Sequence, residues 1–310
     1  MRLLEGREQL VNYVEDTTGN TLLHLSCLHG HLSLLQWIVR QKVLMPNLTN
    51  KDGKTACYIV CERGNITLLR ELLVMLPTLV DTSIGCQHFS PLMISCKLGH
   101  IEVVKELLAF QGTSFVKHRA YYASPLSCAC DSGSMAMLDF LLGQPRVDVN
   151  EQLHLGGTVL HHACINNQKE AFRRLLQVPA LDVNEQTDFG LTALLTCCQN
   201  KKYMIALELL RDPRVDCNIA DSRGRTPLWM AAFGESPSLF LGILVLSRRI
   251  IDTETTPEGQ PYSLKFKKFI LEYHKDRGAF FKKYSKEFQP LPDDLQGLSL
   301  SFRWFADIVC

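Results

Sequence analysis

The residues best suited to chemistry in this sequence are its twelve cysteines and ten histidines. Three short groupings look like halves of a metal site, namely Cys128-Ala-Cys130, Cys197-Cys198 and His161-His162-x-Cys164. A zinc site usually needs a second pair of ligands at a characteristic spacing, and none follows any of these groupings. The sequence therefore predicts no metal site, no other cofactor and no disulfide framework.

The sequence lacks the short motifs that mark several common enzyme classes. The sequence has no Gly-x-x-x-x-Gly-Lys-Ser/Thr phosphate loop, no Gly-x-Gly-x-x-Gly after a strand, no His-Glu-x-x-His and no Gly-x-Ser-x-Gly. The residue types that a scattered catalytic triad would need are explained instead by the repeat described below. We predict that this chain is not an enzyme.

Composition and charge exclude several further classes. The net charge is +1, with 46% hydrophobic and 21% charged residues, so no field of one sign favours nucleic acid. Residues 1–9 contain Glu5 and Glu8, unlike a signal peptide, and the longest apolar run, Leu239–Leu246, is far shorter than the roughly 20 residues of a membrane span. Together with the many thiols, these features predict a cytoplasmic protein without a transmembrane segment.

A period of 34 or 35 residues organises most of the chain. A hydroxyl residue opens each copy: Thr21, Thr55, Ser90, Ser124, Thr158, Thr192 and Thr226. Six places later stands a small residue: Cys27, Cys61, Cys96, Cys130, Cys164, Cys198 and Ala232. We interpret six of the twelve cysteines as small buried residues of a stack, where equivalent positions lie about 10 Å apart, beyond the reach of a disulfide.

Each copy predicts two short helices joined by a turn. Four apolar positions, 13, 14, 17 and 18 places after the hydroxyl, form one stripe on the second helix, as at Val103, Val104, Leu107 and Leu108. A single unit cannot bury such a stripe, so neighbouring units must stack. The turn glycines of the first four copies become Asn167, Lys201 and Glu235 in the last three, which predicts a looser turn there.

These motifs resemble those of the ankyrin repeat family. Thr158-Val-Leu-His-His-Ala-Cys164 and Thr226-Pro-Leu-Trp-Met-Ala-Ala232 are similar to its T-P-L-H-x-A signature, and Gly99–Leu108 to its second helix. The resemblance covers residues 3–247 and implies an all-α solenoid of helix-turn-helix units with projecting hairpins. It also implies that His161 is a structural residue whose ring ties loop backbones together. His88 and Tyr122 replace a hairpin glycine, which predicts two distorted tips.

This reading divides the chain into an ankyrin repeat domain at 1–252 and a basic, helical C-terminal segment at 253–310. The repeats start near residues 17, 51, 86, 120, 154, 188 and 222, after the end of a partial repeat. Both ends look cut, which favours a fragment of a longer protein; the alternative is that the tail folds back as a cap. The stretch 265–287 carries a net charge of +5 from eight cations and three anions. It suits weak contact with an acidic partner or membrane surface, or a packed helix with a solvated basic face.

The resemblance assigns partner contacts to positions four, three and one before the hydroxyl and seven and eight after it. The residues at these positions include Lys51, Lys54, Glu62, Arg63, Gln87, Phe89, Lys97, Tyr121, His154, Asp188, Phe189, Arg223 and Arg225, with Tyr122 one place aside. Aromatic residues and arginines of this kind are typical of interaction hot spots. The alternative for the aromatic residues is that they pack between misshapen hairpins.

We therefore predict a non-catalytic scaffold or adaptor that binds an unknown protein on a concave surface. The alternative is the regulatory or targeting arm of a larger enzyme or channel.

Two connections, Leu142–Asn150 and Leu176–Asn184, also resemble substrate sites of the asparaginyl hydroxylase that inhibits hypoxia-inducible factor. This resemblance makes Asn150 and Asn184 candidate modified residues, whereas the simpler interpretation is that each asparagine shapes its own turn.

Overall fold

The structure, a computed structural model, describes residues 8–76, 89–110 and 123–233, together with the single positions 239, 243 and 275. The chain divides into two compact units, Met1–Asp182 and Val183–Cys310. Several predictions concern residues outside the described ranges. These are the boundary at 252/253, the partial repeat at the N-terminus, the hairpin positions 88 and 122, and the C-terminal helices. The basic stretch 265–287 also lies outside them, apart from Lys275.

The described residues form pairs of short helices and contain no strand. In the first unit the helices are α1 Leu22–His29, α2 Leu32–Ile38, α3 Ala56–Arg63, α4 Ile66–Met75, α5 Pro91–Lys97, α6 Ile101–Ala109, α7 Pro125–Ser132, α8 Met135–Leu142, α9 Val159–Ile165 and α10 Lys169–Leu176. In the second unit they are α11 Ala193–Gln199, α12 Tyr203–Leu209 and α13 Pro227–Phe233. Two short 3-10 turns occur at Glu8–Asn12 and His154–Gly156.

The periodic hydroxyl is the N-cap of each first helix. Its side-chain oxygen accepts a hydrogen bond from the backbone N–H three residues later, for example from Tyr58 to Thr55 at 3.2 Å and from Leu195 to Thr192 at 3.2 Å. A cap of this kind satisfies a backbone donor that has no partner within the helix and contributes about 0.5–2 kcal/mol. The spacing of the hydroxyls therefore fixes where each first helix begins.

The turn between the two helices keeps the same conformation where glycine is absent. Gly30, Gly64, Gly99 and Gly133 have φ between 66° and 75°, and Asn167 and Lys201 have φ of 57° and 56°. In turns with and without glycine, the backbone N–H after the turn donates to a carbonyl of the first helix. His31 N donates to Ser26 O at 2.9 Å, and Lys202 N donates to Cys197 O at 2.8 Å. The predicted loosening is therefore wrong at Asn167 and Lys201. The backbone bond holds a conformation that costs a non-glycine residue about 1–2 kcal/mol.

Stacking of the first helices builds the core. In the first unit α1, α3, α5, α7 and α9 pack in that order, and in the second unit α11 packs against α12 and α13. The repeated cysteines at the stacked position are at most 7% exposed and all are free thiols. Burial raises the pKa of Cys27 and of Cys130 to about 12, so both remain protonated. The interpretation of these cysteines as small buried residues is confirmed.

The second-helix stripe is buried most completely at two of its four positions. The residues 14 and 17 places after the hydroxyl are buried in each of the first six copies, for example Leu138 and Leu141 at 1% and 0% exposure. The last position of the stripe is less regular, because Leu108, Leu142 and Leu176 are only half-buried. The positions 14 and 17 places after the hydroxyl thus contribute most of the apolar surface that the stripe buries.

Because Leu141 is buried and Leu142 only half-buried, substitutions at the two positions can be compared directly. We expect Leu141→Ala to lower the free energy of unfolding by about 2–5 kcal/mol, as for a fully buried leucine. Leu142→Ala removes the same atoms from a half-buried site and should cost at most about 1.5 kcal/mol. Chemical denaturation of the two variants measures both values. Equal losses would contradict the assignment of the stripe.

Candidate functional site

Short hairpins precede the first helices and carry most of the predicted contact residues. Each of the described hairpins closes with a backbone hydrogen bond, for example from Asn50 N to Lys54 O at 3.0 Å and from Asp221 N to Arg225 O at 3.0 Å. Consecutive hairpins are also joined, by Lys51 N to Thr18 O at 3.0 Å in the first unit. In the second unit the equivalent bond runs from Ser222 N to Phe189 O at 2.9 Å. In these two pairs one tip is therefore held against the next tip of its own unit.

Glycine at the tips is required by this close approach. Gly190 has φ of 74°, and a β-carbon placed on it would lie 2.6 Å from Ser222 N. Gly19 has φ of 72°, and its β-carbon would lie 2.8 Å from Lys51 N. At both positions a side chain would have to push the neighbouring hairpin away.

A buried histidine fixes the first hairpin to the second. The Thr21 N–H bonds to His24 Nδ1 at 3.1 Å, so this nitrogen is the acceptor and Nε2 carries the proton. His24 Nε2 then donates to the Lys54 carbonyl at 3.0 Å. Burial is the main cause that lowers the pKa of His24, so the ring is neutral. His161 makes the equivalent local contact with the N–H of Thr158, at 3.2 Å.

The predicted contact residues differ in exposure. Lys51, Arg63, Lys97, Asp188, Phe189 and Arg223 are exposed. Lys54, Glu62, Phe89, His154 and Arg225 are half-buried. Gln87, Tyr121 and Tyr122 lie outside the described residues.

Two of the half-buried cations are held by carboxylates of the same chain. Lys54 Nζ donates to both carboxylate oxygens of Glu62, at 2.8 and 2.9 Å. Arg225 pairs with the buried Asp221 at 2.6 Å. Burial opposes ionisation of Asp221, but its hydrogen bonds from Arg225 and Arg223 outweigh this and hold the pKa of the carboxyl below its usual range. Both pairs stabilise hairpins, so Lys54 and Arg225 have structural work besides any contact with a partner.

The asparagines Asn150 and Asn184 join connections of consecutive copies. Asn150 Nδ2 donates to Ala180 O at 2.8 Å, and its Oδ1 accepts from Asp182 N at 2.8 Å. Asn184 repeats the pattern with Arg214 O and Asp216 N, both at 2.8 Å. The side-chain partners lie 30 and 32 residues away, so the expectation that each asparagine side chain shapes only its own turn is wrong. The local turn uses the aspartate instead, because Asp148 Oδ1 accepts from Asn150 N at 2.9 Å.

The three residues of the grouping His161-His162-x-Cys164 have different surroundings and contacts. Cys164 is fully buried, His161 contacts Thr158, and His162 Nε2 lies 2.9 Å from Asp131 Oδ1. Within the described part of the chain, no three His, Cys, Asp or Glu side chains come together as metal ligands. In the same residues no helix has the length and apolar character needed to cross a bilayer.

Comparison with known proteins decides the family. A family model described as ankyrin repeats (3 copies) matches residues 23–119, 74–152, 126–221 and 160–244. The chain belongs to the ankyrin repeat family. Among solved structures, the ankyrin repeat domain of Bcl-3, titled a unique member of the IkappaB protein family, shares 21% identity at a TM-score of 0.61. That match covers 73% of this chain and 99% of the Bcl-3 domain.

A second similar structure is the human ASB11 ankyrin repeat domain, with 22% identity and a TM-score of 0.57. The match covers 74% of this chain and all of that domain. At this level of identity both structures confirm the ankyrin fold and say nothing of shared partners.

Three exposed apolar residues of the ankyrin surface were not among the predicted contacts. Leu98, Leu155 and Ile165 are 47%, 44% and 44% exposed. They stand eight places after, three before and seven after their hydroxyls, which are positions that the rule already covers. The spacing from the hydroxyl in the sequence thus marks exposed aliphatic side chains as well as aromatic and charged ones.

The buried His24 predicts a pH dependence of stability. Its pKa is lower in the folded chain than in the unfolded chain, so its contribution is complete above about pH 6.5 and is lost as the pH falls below that value. We expect the free energy of unfolding of the native protein to fall between about pH 7.5 and about pH 5. His24→Gln should flatten this slope, whereas the exposed control His29→Gln should keep it. Identical slopes for all three proteins would contradict the assignment.

The hydrogen bonds of Asn150 predict a difference in stability between two alanine substitutions. Asn150→Ala removes two hydrogen bonds between copies and should lower the free energy of unfolding by about 1–3 kcal/mol. Gln177 is exposed at the end of α10, so the control Gln177→Ala should cost less than about 0.5 kcal/mol. Urea titrations followed by circular dichroism measure both. A loss at Asn150 no larger than at Gln177 would show that the bridges are not formed in solution.

Proposed function

We propose that this chain is a non-catalytic interaction module that binds a partner protein through its hairpin tips and the last turns of its first helices. The observation that carries this proposal is the exposure of large apolar side chains there: Leu98, Leu155, Ile165 and Phe189 are 44% to 53% exposed. None of the four is buried in the helix stack. Apolar side chains rimmed by charged ones are typical of interaction surfaces.

Membership of the ankyrin repeat family supports the same function, because its members are generally protein-interaction modules. We propose a scaffold or adaptor in the cytoplasm. The alternative, that this chain is the regulatory or targeting arm of a larger enzyme or channel, stays a prediction that full-length transcripts would test.

Site-specific photo-crosslinking tests the proposed surface. A photo-crosslinking amino acid is placed at Leu98 or Phe189 in one set of proteins, and at Val74 or Ala136 on exposed second-helix positions in the control set. In the native cell we expect crosslinked partner bands from the first set alone. Equal bands from both sets, or bands from the second set only, would place the partner elsewhere and overturn the proposal.

We also propose that the connection containing Asn150 is a substrate for hydroxylation, and likewise that of Asn184. Much of the first connection faces solvent, since Gly143, Pro145, Arg146 and Asp148 are exposed. Opening it requires release of the two Asn150 bridges and of the buried Val149. Segments with few buried contacts open locally at low free energy, which would let an enzyme take the segment extended.

Peptide mass spectrometry on protein from its native cell tests this proposal. We expect peptides containing Asn150 and Asn184 to carry one added oxygen atom on the asparagine. The internal control is a known ankyrin substrate of the hydroxylase in the same extract. Unmodified Asn150 and Asn184 peptides beside a modified control would end the hypothesis.

A further inference from the structure

The first unit has a cationic section on its tip and first-helix surface. Among the described residues at the contact positions of that unit, the lysines and arginines are Lys51, Lys54, Arg63 and Lys97, all in the second and third copies. Acidic residues in the same section are Asp52 and Glu62. The cations of the section therefore outnumber its anions by two.

Most of the other charges near this section are engaged within the protein. Glu62 is paired with Lys54 at 2.8 Å, and Asp131 of the next copy lies 2.9 Å from His162. In the described part of the chain no carboxylate lies within ion-pairing distance of Arg63 or Lys97. Lys51, the other exposed cation of the section, donates through Nζ to the backbone carbonyl of Asp16. Arg63 and Lys97 are therefore the exposed cations of this section that remain to attract an external anion.

An apolar platform accompanies these cations. Lys97 Nζ lies 4.5 Å from the centre of the half-buried Phe89 ring, and the next residue, Leu98, is 47% exposed. The contact with the ring restricts the ammonium group before any partner arrives, which lowers the entropy cost of forming an ion pair. Charge and apolar surface therefore occur together at the end of α5.

The spacing of the cations follows from the helix stack. Arg63 is in the last turn of α3 and Lys97 in the last turn of α5, and the two helices pack against each other. Axes of packed helices are about 8–10 Å apart. In a peptide with the polyproline II conformation, which rises about 3.1 Å per residue and has about three residues per turn, side chains three residues apart lie on one face at about this distance.

We propose that the surface formed by Arg63, Phe89, Lys97 and Leu98, hereafter the α3–α5 surface, binds an acidic peptide segment of the partner protein. Two carboxylates of this segment, about three residues apart on one face of a polyproline II helix, pair with Arg63 and Lys97. An apolar side chain between them lies on Phe89 and Leu98. The inference rests on the proposed function and specifies the chemistry of the partner. Two uncompensated cations suit such a peptide better than a nucleic acid, whose binding is dominated by many phosphate contacts.

Fluorescence anisotropy on the full chain at low salt tests the proposal. The probe is a fluorescein-labelled dodecapeptide that repeats Glu-Leu-Ser, which places a carboxylate at every third residue. The matched peptide repeats Gln-Leu-Ser, and a labelled oligothymidylate of similar length represents nucleic acid. We expect the Glu peptide to bind at least about tenfold more tightly than either alternative, with an affinity that falls as salt is added.

Variants locate the binding. Arg63→Glu/Lys97→Glu should weaken binding of the Glu peptide by at least about tenfold, and the milder Arg63→Gln/Lys97→Gln by a smaller factor. The control, Arg40→Glu/Arg146→Glu, makes the same change in net charge at exposed sites outside the α3–α5 surface and should stay within about twofold of the native protein. Circular dichroism melting of each variant verifies that it is folded.

Several results would overturn the inference: equal binding of the Gln peptide, tighter binding of the oligothymidylate, or equal loss in the control variant. Each of these leaves the photo-crosslinking result untouched, because that experiment does not depend on the chemistry of the partner. Conversely, crosslinks from second-helix positions would refute the proposed function even if an acidic peptide bound to the α3–α5 surface.

Discussion

The constraint on which the rest of the structure depends is the close packing of one first helix against the next within each unit. A single small side chain per copy makes this packing feasible, and in six of the seven copies it is a cysteine. Cys61, Cys96 and Cys164 are fully buried. The pKa of Cys61 is held well above the usual thiol value by its hydrogen bond with Cys57 and by burial, and that of Cys96 is raised by burial. The thiols at the stacked position therefore act as small apolar groups.

Close packing of the helices brings the hairpins together as well. Once α1 lies on α3, the His24 ring spans from Thr21 to the Lys54 carbonyl, and Lys51 N reaches Thr18 O. Buried polar groups are costly unless they are hydrogen-bonded, so these contacts fix the register of one hairpin on the next. The exposed side chains that follow each tip are consequently held on an ordered backbone, which reduces the entropy that a binding partner must remove.

Packing also divides the charged residues into two groups. Lys54 and Arg225 have carboxylate partners in their own copies and serve the hairpins. Arg63 and Lys97, in the last turns of α3 and α5, carry charge that the described part of the chain does not neutralise, with Phe89 and Leu98 beside them. Cations at the contact positions of the repeat thus have different roles, and the difference lies in which neighbouring side chain each one meets.

The sequence by itself determined the period, the two helices of each copy, the buried small residue and the ankyrin family, because these features are encoded within one copy by caps, turns and apolar spacing. Only the tertiary structure showed that Leu142 is half-buried, that Lys201 keeps the left-handed turn, and that Asn150 bonds to a connection 30 residues away. It also decided that Lys54 has an ion-pair partner within the chain while Arg63 meets no carboxylate among the described residues. These outcomes depend on contacts between copies, or on how a side chain is oriented once the copies are stacked. A pattern read along one copy contains no information about such distances.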